Sequence, residues 1–237
     1  MGPLRGELLI EAWERGANGT YLERALTALA VAYGGRSQDE LLDLSIADRD
    51  LELLRLRRLT FGDTLRGCLP CGACATRVEF EISISSMLDR LDAAPRRSAA
   101  IWRTECFEFS MRPATTRDLA AVTSAADPRR SLLARCTDVD SRDVDAALSR
   151  CEDVVVEQFN QLNEGAETRF TFACPACTAV EHTDLDIARF LWIEIRHAAT
   201  TVLREVHDLA SAYGWSEASV LAMNGARRAL YLEMART

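Results

Sequence analysis

The chain carries two short cysteine turns, CLPCGAC at residues 68–74 and CPAC at residues 174–177. Two residues between a pair of cysteines let one tight turn point both sulfurs at the same ion, with backbone N–H groups available to the thiolates. Two such turns supply the four ligands of a tetrahedral thiolate site. The sequence therefore predicts one structural zinc ion per chain, held by four ligands: Cys71, Cys74, Cys174 and Cys177.

A strand-like segment follows each turn. Val78, Phe80 and Ile82 alternate with polar residues after the first turn, and residues 180–183 read as extended after the second. A turn followed by a strand is the arrangement of a zinc ribbon, which is split here by a long insertion. Closing a loop of this length costs about 4 kcal/mol, whereas zinc held by thiolates contributes roughly 10 to 16 kcal/mol in small peptides. The metal term is the larger, so the insertion does not argue against the site.

Cys68 is an alternative ligand to Cys74, because Cys68, Cys71 and Gly72 spell the C-x-x-C-G form in which glycine follows the second ligand. We favour Cys71 and Cys74, since the following strand then begins about two residues after the second ligand in both turns. The remaining cysteines lie in apolar stretches and are interpreted as core residues: Cys106, Cys136 and Cys151.

A cytoplasmic thiol–disulfide redox protein is the alternative function for the same C-x-x-C pairs. A thioredoxin-like pair lies at a helix N-terminus, where the thiolate is stabilised. Residues 178–181 read as extended, which disfavours that alternative. A site filled by four thiolates keeps no open position for water, so we expect the zinc to be structural and the protein to be non-enzymatic.

Composition and charge argue against several other classes. The hydrophobic content of 48% is that of an ordinary globular protein, and the formal net charge of -8 disfavours binding to a phosphate backbone. Residues 1–9 have no cationic region followed by an apolar run, and charged side chains interrupt the apolar stretch 187–203. We therefore expect a cytoplasmic protein without a nucleic-acid, membrane or small-molecule partner.

The histidines do not indicate a catalytic or di-iron site. Glu194 and His197 have the Glu-x-x-His spacing of di-iron bundles, but such a site needs a second pair and two further carboxylates. The sequence has no second Glu-x-x-His. The three histidines are interpreted as surface or capping residues: His182, His197 and His207.

The periodicity predicts an α+β fold that is mainly helical. Apolar residues recur at three- and four-residue spacing, as in residues 22–30, and long helices are predicted over about residues 141–162 and 185–213. Gly214 marks the end of the second. The chain divides into a helical head, a split zinc ribbon, a mostly helical insertion and a C-terminal helical hairpin: residues 1–66, 67–84 with 167–184, 85–166, and 185–237.

The C-terminal hairpin concentrates large side chains in two short predicted helices. Ser216 caps the first helix, and Asn224 with Gly225 separates it from the second. We expect partner contacts on this hairpin, with four candidate residues: Trp215, Arg227, Arg228 and Tyr231. The alternative is that the aromatic side chains pack on the long helix as core residues.

Four segments resemble one known family: residues 59–80 (LTFGDTLRGCLPCGACATRVEF), 109–121 (FSMRPATTRDLAA), 172–194 (FACPACTAVEHTDLDIARFLWIE) and 202–234, which ends YGWSEASVLAMNGARRALYLEM. They are similar to the baseplate hub assembly chaperones of T4-like contractile phage tails, a family also found in gene clusters for contractile injection systems. The resemblance implies that the protein assists assembly of a baseplate, or forms part of it, through contacts with baseplate or hub proteins and without catalysis.

The resemblance also places the family's two C-P-x-C-G turns on residues 71–74 and 174–177. This chain departs from that pattern at Gly72, where proline is usual, and at Ala75 and Thr178, where glycine is usual. None of these departures removes a ligand.

Overall fold

The computed structural model of the protein describes residues 1–93, 99–103, 108–138, 141–163 and 169–236. The fold is α+β and mainly helical, as the sequence predicts. The chain begins with four helices: α1 (Glu7–Gly16), α2 (Tyr21–Tyr33), α3 (Gln38–Leu42) and α4 (Ile46–Phe61).

Capping residues determine where these first helices begin and end. Thr20 precedes α2 and Ser37 precedes α3, and each side chain accepts a hydrogen bond from the backbone N–H three residues on. The glutamates at those positions, Glu23 and Glu40, return the interaction by accepting from the cap's own backbone N–H, which completes a capping box. Gly34 ends α2 with φ 67, a left-handed conformation that glycine adopts without strain.

An antiparallel hairpin follows the head and carries the first cysteine turn. It consists of β1 (Thr64–Pro70) and β2 (Arg77–Ser83), and α5 (Ile84–Ala93) continues directly from β2. β2 is the alternating strand that the sequence predicts, whereas β1 was not predicted. Gly67 on β1 faces Phe80 on β2, and a Cβ on Gly67 would overlap the phenyl ring. This close approach explains the glycine within the strand.

The insertion is mostly helical and has a small core of its own. Its elements are β3 (Ala100–Arg103), β4 (Glu108–Met111), α6 (Thr116–Val122), α7 (Pro128–Cys136) and α8 (Ser141–Leu162). Thr115 caps α6, and Pro128 lies in the first turn of α7. The buried side chains of this core come from β4, α7 and α8: Phe109, Met111, Leu133, Val155 and Leu162.

Short contacts attach the insertion to the head. The backbone N–H of Ile46 donates to the Ala114 carbonyl over 3.0 Å, and that of Thr116 donates to the Leu44 carbonyl over 3.2 Å. Each segment donates one of these backbone hydrogen bonds and accepts the other. They hold the first turn of α6 beside the first turn of α4.

The last part of the chain contains the second hairpin and the longest helix. Its elements are β5 (Arg169–Ala173), β6 (Val180–Asp184), α9 (Ile187–Tyr213), α10 (Glu217–Leu221) and α11 (Gly225–Ala235). Asp186 caps α9, and Gly214 ends it with φ 69. At 27 residues, α9 is roughly 40 Å long. None of the helices within the described ranges is both long and apolar enough to cross a membrane.

The main core lies between α9 and the head. Helix α9 packs against α1, α2 and α4, and it buries Leu191, Ile195 and Ala199 in that interface. Trp192 also lies there, where a Cβ added to Gly16 would stand 2.6 Å from its ring. The head and the first half of α9 therefore share one hydrophobic core, to which Leu65 of β1 contributes.

Candidate metal centre

The first cysteine turn connects β1 to β2 and is closed by two backbone hydrogen bonds. The N–H of Cys71 donates to the Thr76 carbonyl over 2.9 Å, and the N–H of Ala75 donates to the Cys71 carbonyl over 2.8 Å. Cys71 is buried and Cys74 is exposed. The turn therefore presents one sulfur from the interior and one from the surface.

The second turn repeats this geometry between β5 and β6. The N–H of Cys174 donates to the Ala179 carbonyl and the N–H of Thr178 donates to the Cys174 carbonyl, both over 2.9 Å. Cys174 is buried and Cys177 is exposed. Corresponding donors and acceptors have the same sequence offsets in the two turns, so the two hairpins hold their cysteines alike.

The residue after each second cysteine adopts a left-handed backbone conformation. Ala75 and Thr178 both have φ 59, and within the described ranges they are the non-glycine residues with positive φ. These are the positions at which the resembled family usually has glycine. A residue with a Cβ is less stable there by roughly 1 to 2 kcal/mol, so other interactions must hold both turns in this shape.

The four cysteine sulfurs lie together, within 4.8 Å of one another. The Sγ atoms of Cys71 and Cys177 are 3.7 Å apart, and those of Cys74 and Cys174 are also 3.7 Å apart. Sulfurs bound to zinc at about 2.3 Å form a tetrahedron with edges of about 3.8 Å, whereas a disulfide bond is about 2.05 Å. The cluster has the spacing of a metal site, and each short distance joins one turn to the other.

A carboxylate from the second hairpin lies against the first turn. Oε1 of Glu181 on β6 accepts from the backbone N–H of Gly72 over 2.6 Å and from that of Ala73 over 3.4 Å. The same oxygen is 3.0 Å from Cys71 Sγ. Glu181 therefore joins the two hairpins beside the cysteines, and nothing in the sequence pattern identified it.

The surroundings give the two sulfurs of the first turn different acidities. The hydrogen bond to the Glu181 carboxylate raises the pKa of Cys71 to about 12, although backbone N–H groups of Cys74 and Ala73 act in the opposite direction. The hydroxyl and backbone N–H of Thr76 lower the pKa of Cys74 to about 6. Because metals bind thiolates, a metal in this site would displace the proton that the Cys71 thiol donates to Glu181.

Aromatic packing provides a second connection between the hairpins. The rings of Phe80 on β2 and Phe170 on β5 have centroids 5.0 Å apart, and Phe172 lies 6.4 Å from Phe170. Phe172 also packs on Val78 and the two buried cysteines. The hairpins therefore contact one another through apolar side chains as well as through the cysteine cluster.

Cys68 lies outside the cysteine cluster. It sits on β1 opposite Glu79, its side chain is exposed, and its Sγ accepts a hydrogen bond from Arg77 Nε over 3.4 Å. Cys136 is buried, which agrees with its interpretation as a core residue. The same expectation for Cys106 and for the side chain of Cys151 concerns positions outside the described residues.

Glu194 has a structural partner in place of a metal. Its carboxylate accepts two hydrogen bonds from Arg57 of α4, over 3.0 Å from Nε and 2.7 Å from Nη2. Arg57 is buried and also donates to the Gly62 carbonyl at the end of α4 over 2.8 Å. This contact joins α4 to α9 and accounts for the carboxylate in the Glu-x-x-His motif.

The aromatic candidates of the C-terminal hairpin contact one another. Trp215 stacks on Tyr213 with centroids 4.6 Å apart and meets the edge of Tyr231 at 4.8 Å. Arg227 is exposed and lies 5.6 Å from the centroid of Tyr231. Trp215 and Tyr231 also pack on the buried residues between α9, α10 and α11, so both side chains are partly buried in this cluster. A partner contact at Trp215, Arg227 and Tyr231 stays a prediction.

Arg228 was wrongly predicted to lie at the surface. It is buried, its Nε donates to the Glu205 carboxylate over 2.8 Å, and its Nη1 donates to the Met223 carbonyl over 2.6 Å. Together with Leu232 it forms the inner face of α11, one turn apart. The sequence suggests one basic patch at residues 227–228, but neighbouring residues on a helix point in different directions, so only Arg227 is exposed.

Comparison of the chain with protein-family models, with curated proteins and with solved structures finds no match.

Proposed function

We propose that Cys71, Cys74, Cys174 and Cys177 bind one zinc ion that fastens the two hairpins together. The observation that carries this proposal is the pair of 3.7 Å distances between sulfurs of different turns. They agree with the edge of a zinc–thiolate tetrahedron, about 3.8 Å, and each joins residues roughly 100 positions apart. Elemental analysis of protein purified without added metal should find about one zinc per chain. Iron in place of zinc, or no metal, would contradict it.

The ligand set supports a structural role for this ion. Four thiolates fill a tetrahedral site and leave no position at which water or substrate is activated. Both C-x-x-C turns connect strands of a hairpin, whereas a redox pair of the thioredoxin type lies at a helix N-terminus. These features favour a non-enzymatic protein over a thiol–disulfide redox protein.

We further propose that the protein assists assembly of a contractile-tail baseplate, or forms part of it. The resemblance of residues 59–80, 109–121, 172–194 and 202–234 to baseplate hub assembly chaperones supports this function. Those segments include both cysteine turns and the C-terminal hairpin. The expected partners are baseplate or hub proteins of a phage tail or an injection system, encountered in the cytoplasm.

A deletion strain tests the assembly role. We expect sheath and tube proteins to accumulate normally while few complete particles appear in electron micrographs. Complementation with wild-type or Cys68→Ser protein should restore particles, whereas Cys174→Ser should restore far fewer, because only the second variant loses a proposed metal ligand. Normal particle yields in the deletion strain would refute the assembly role and leave the zinc proposal standing.

A further inference from the structure

A small pocket between α2 and α9 carries an unusual concentration of positive charge. Its volume is about 240 Å³. Among its lining residues three are arginines and none is acidic: Tyr21, Arg24, Ala188, Arg189, Trp192, Ile193 and Arg196. Beside the pocket, the Tyr21 hydroxyl donates a hydrogen bond to the Asp186 carboxylate over 2.7 Å. We call this site, formed by the seven lining residues, the arginine pocket.

Backbone carbonyls and an aromatic ring hold the first of these arginines in place. Arg24 donates to the carbonyls of Gly16 and Ala17 at the end of α1, over 3.3 and 3.1 Å. Its guanidinium carbon also stands 5.2 Å from the centroid of Trp192. These neutral partners fix the position of the side chain without cancelling its charge. Arg24 is therefore a fixed positive charge at the pocket.

The other two arginines lie on α9 on either side of Trp192. Arg189 and Arg196 are exposed and seven residues apart, so they lie on the same face of the helix about two turns from one another. Within the described part of the chain, neither guanidinium has a carboxylate within ion-pair distance. Several arginines elsewhere in the described chain do form ion pairs, for example Arg57 with Glu194 and Arg117 with Asp43.

Charge complementarity identifies the kind of ligand. Three positive charges around one pocket repel one another, and the repulsion is relieved when carboxylates approach. The formal net charge of -8 makes this pocket a local exception on an acidic protein. A long polyanion would be repelled by the rest of the surface, whereas a short acidic segment of a protein would meet only the positive region.

Size and exposure favour a peptide over a nucleotide or a cofactor. The volume of about 240 Å³ is below the roughly 300 to 1,000 Å³ of small-molecule sites, and it suits one or two side chains. Trp192 is only 8% exposed and has Arg24 over its ring, so a base has no free ring to stack on. Ile193 is 47% exposed and offers an apolar contact between the two arginines of α9.

We propose that the arginine pocket binds an acidic segment of a partner protein, with carboxylates on Arg189 and Arg196 and an apolar side chain against Ile193. Exposed ion pairs are individually weak, so the apolar contact supplies part of the affinity and the arginines supply the selectivity. This surface requires neither a bound metal nor a role in tail assembly. It lies on the head–α9 core, away from the C-terminal hairpin.

Fluorescence polarisation with synthetic peptides tests this site on the full chain. The probe is a labelled peptide of glutamates with two leucines, compared with a peptide in which glutamine replaces every glutamate and with a labelled oligothymidine. We expect the glutamate peptide to bind most tightly and to weaken as salt rises. The double variant Arg189→Gln with Arg196→Gln should bind it about tenfold more weakly. The indole resonance of Trp192 should shift only with the glutamate peptide.

A matched double variant tests whether peptide affinity depends on the arginines of the pocket or only on the net charge of the protein. Arg204→Gln with Arg236→Gln removes the same charge at exposed positions outside the pocket and should leave peptide affinity unchanged. The proposal fails if the two double variants bind alike, or if wild type binds none of the probes. It also fails if the glutamine peptide binds as tightly as the glutamate peptide, or if oligothymidine is preferred.

Discussion

At the scale of single residues, the cysteines separate into proposed ligands and residues outside the cluster. Cys174 is buried within the cluster, whereas Cys68 is exposed on β1 and outside it. We expect Cys174→Ser to lose most of the bound zinc and about 4 kcal/mol or more of stability in the ribbon, because one ligand is removed from a closed site. Cys68→Ser is the control and should retain about one zinc. Metal analysis measures the zinc content of each variant, and amide exchange of β6 measures its local stability. Equal zinc content and equal stability in the two variants would contradict the ligand assignment.

The left-handed residues of the turns permit a stabilising substitution. Ala75 has φ 59, where glycine is favoured because it has no Cβ. Ala75→Gly should raise the unfolding free energy of the metal-loaded protein by about 0.5 to 1 kcal/mol. Ala73 in the same turn does not have a positive φ. Ala73→Gly should therefore lower the unfolding free energy, because it only adds conformational freedom to the unfolded chain. Thermal melts of the two variants test this prediction. A lower melting temperature for both variants would show that the turn is not strained at Ala75.

The carboxyl group of Asp50 should make the unfolding free energy of the protein depend on pH. Burial raises its pKa from 3.8 to about 6, although the neighbouring Arg49 lowers it. The folded state therefore binds this proton more tightly than the unfolded state, so its contribution is present at low pH and is lost as pH rises from about 4 to 6. Relative to Asp50→Asn, wild type should lose about 2 to 3 kcal/mol across that window. Denaturant unfolding of both proteins measures the difference, and a pH-independent difference would contradict the raised pKa.

At the scale of elements, the contact between α4 and α9 depends on a buried arginine. Arg57 is 3% exposed, and Glu194 is its carboxylate partner. Glu194→Ala should lower the unfolding free energy by about 3 kcal/mol or more, because it leaves a buried cation without compensation. Glu81→Ala removes the partner of exposed Arg66 in the first hairpin and should cost less than about 1 kcal/mol. Similar losses for both variants would show that burial of Arg57 does not matter.

At the scale of the whole molecule, we expect the proposed metal and the helical core to be separate sources of stability. The main core lies between the head and α9, while the cysteines lie in a small cluster with Val78 and Phe172. Removing the metal with a chelator under reducing conditions should expose the amides of the hairpins to exchange while those of α9 stay protected. The far-ultraviolet helical signal should change little. Loss of that signal on chelation would show that the zinc holds the entire fold.

Local patterns in the sequence determined most elements and the proposed ligands. Apolar spacing predicted α8 and α9, and the C-x-x-C spacing predicted four cysteines that lie together. Each of these features depends on residues within a few positions of one another. Such interactions can be read from one chain without knowing its fold.

Tertiary packing determines which distant residues meet and which side chains are buried. Glu181 contacts the first cysteine turn, Arg57 pairs with Glu194, and Arg24 lies beside two arginines of α9. The same applies to Arg228, whose burial against Glu205 follows from the packing of α11 on α9. The physical reason is that side-chain direction and long-range packing fix these contacts, and neither composition nor periodicity specifies which helix face meets which partner.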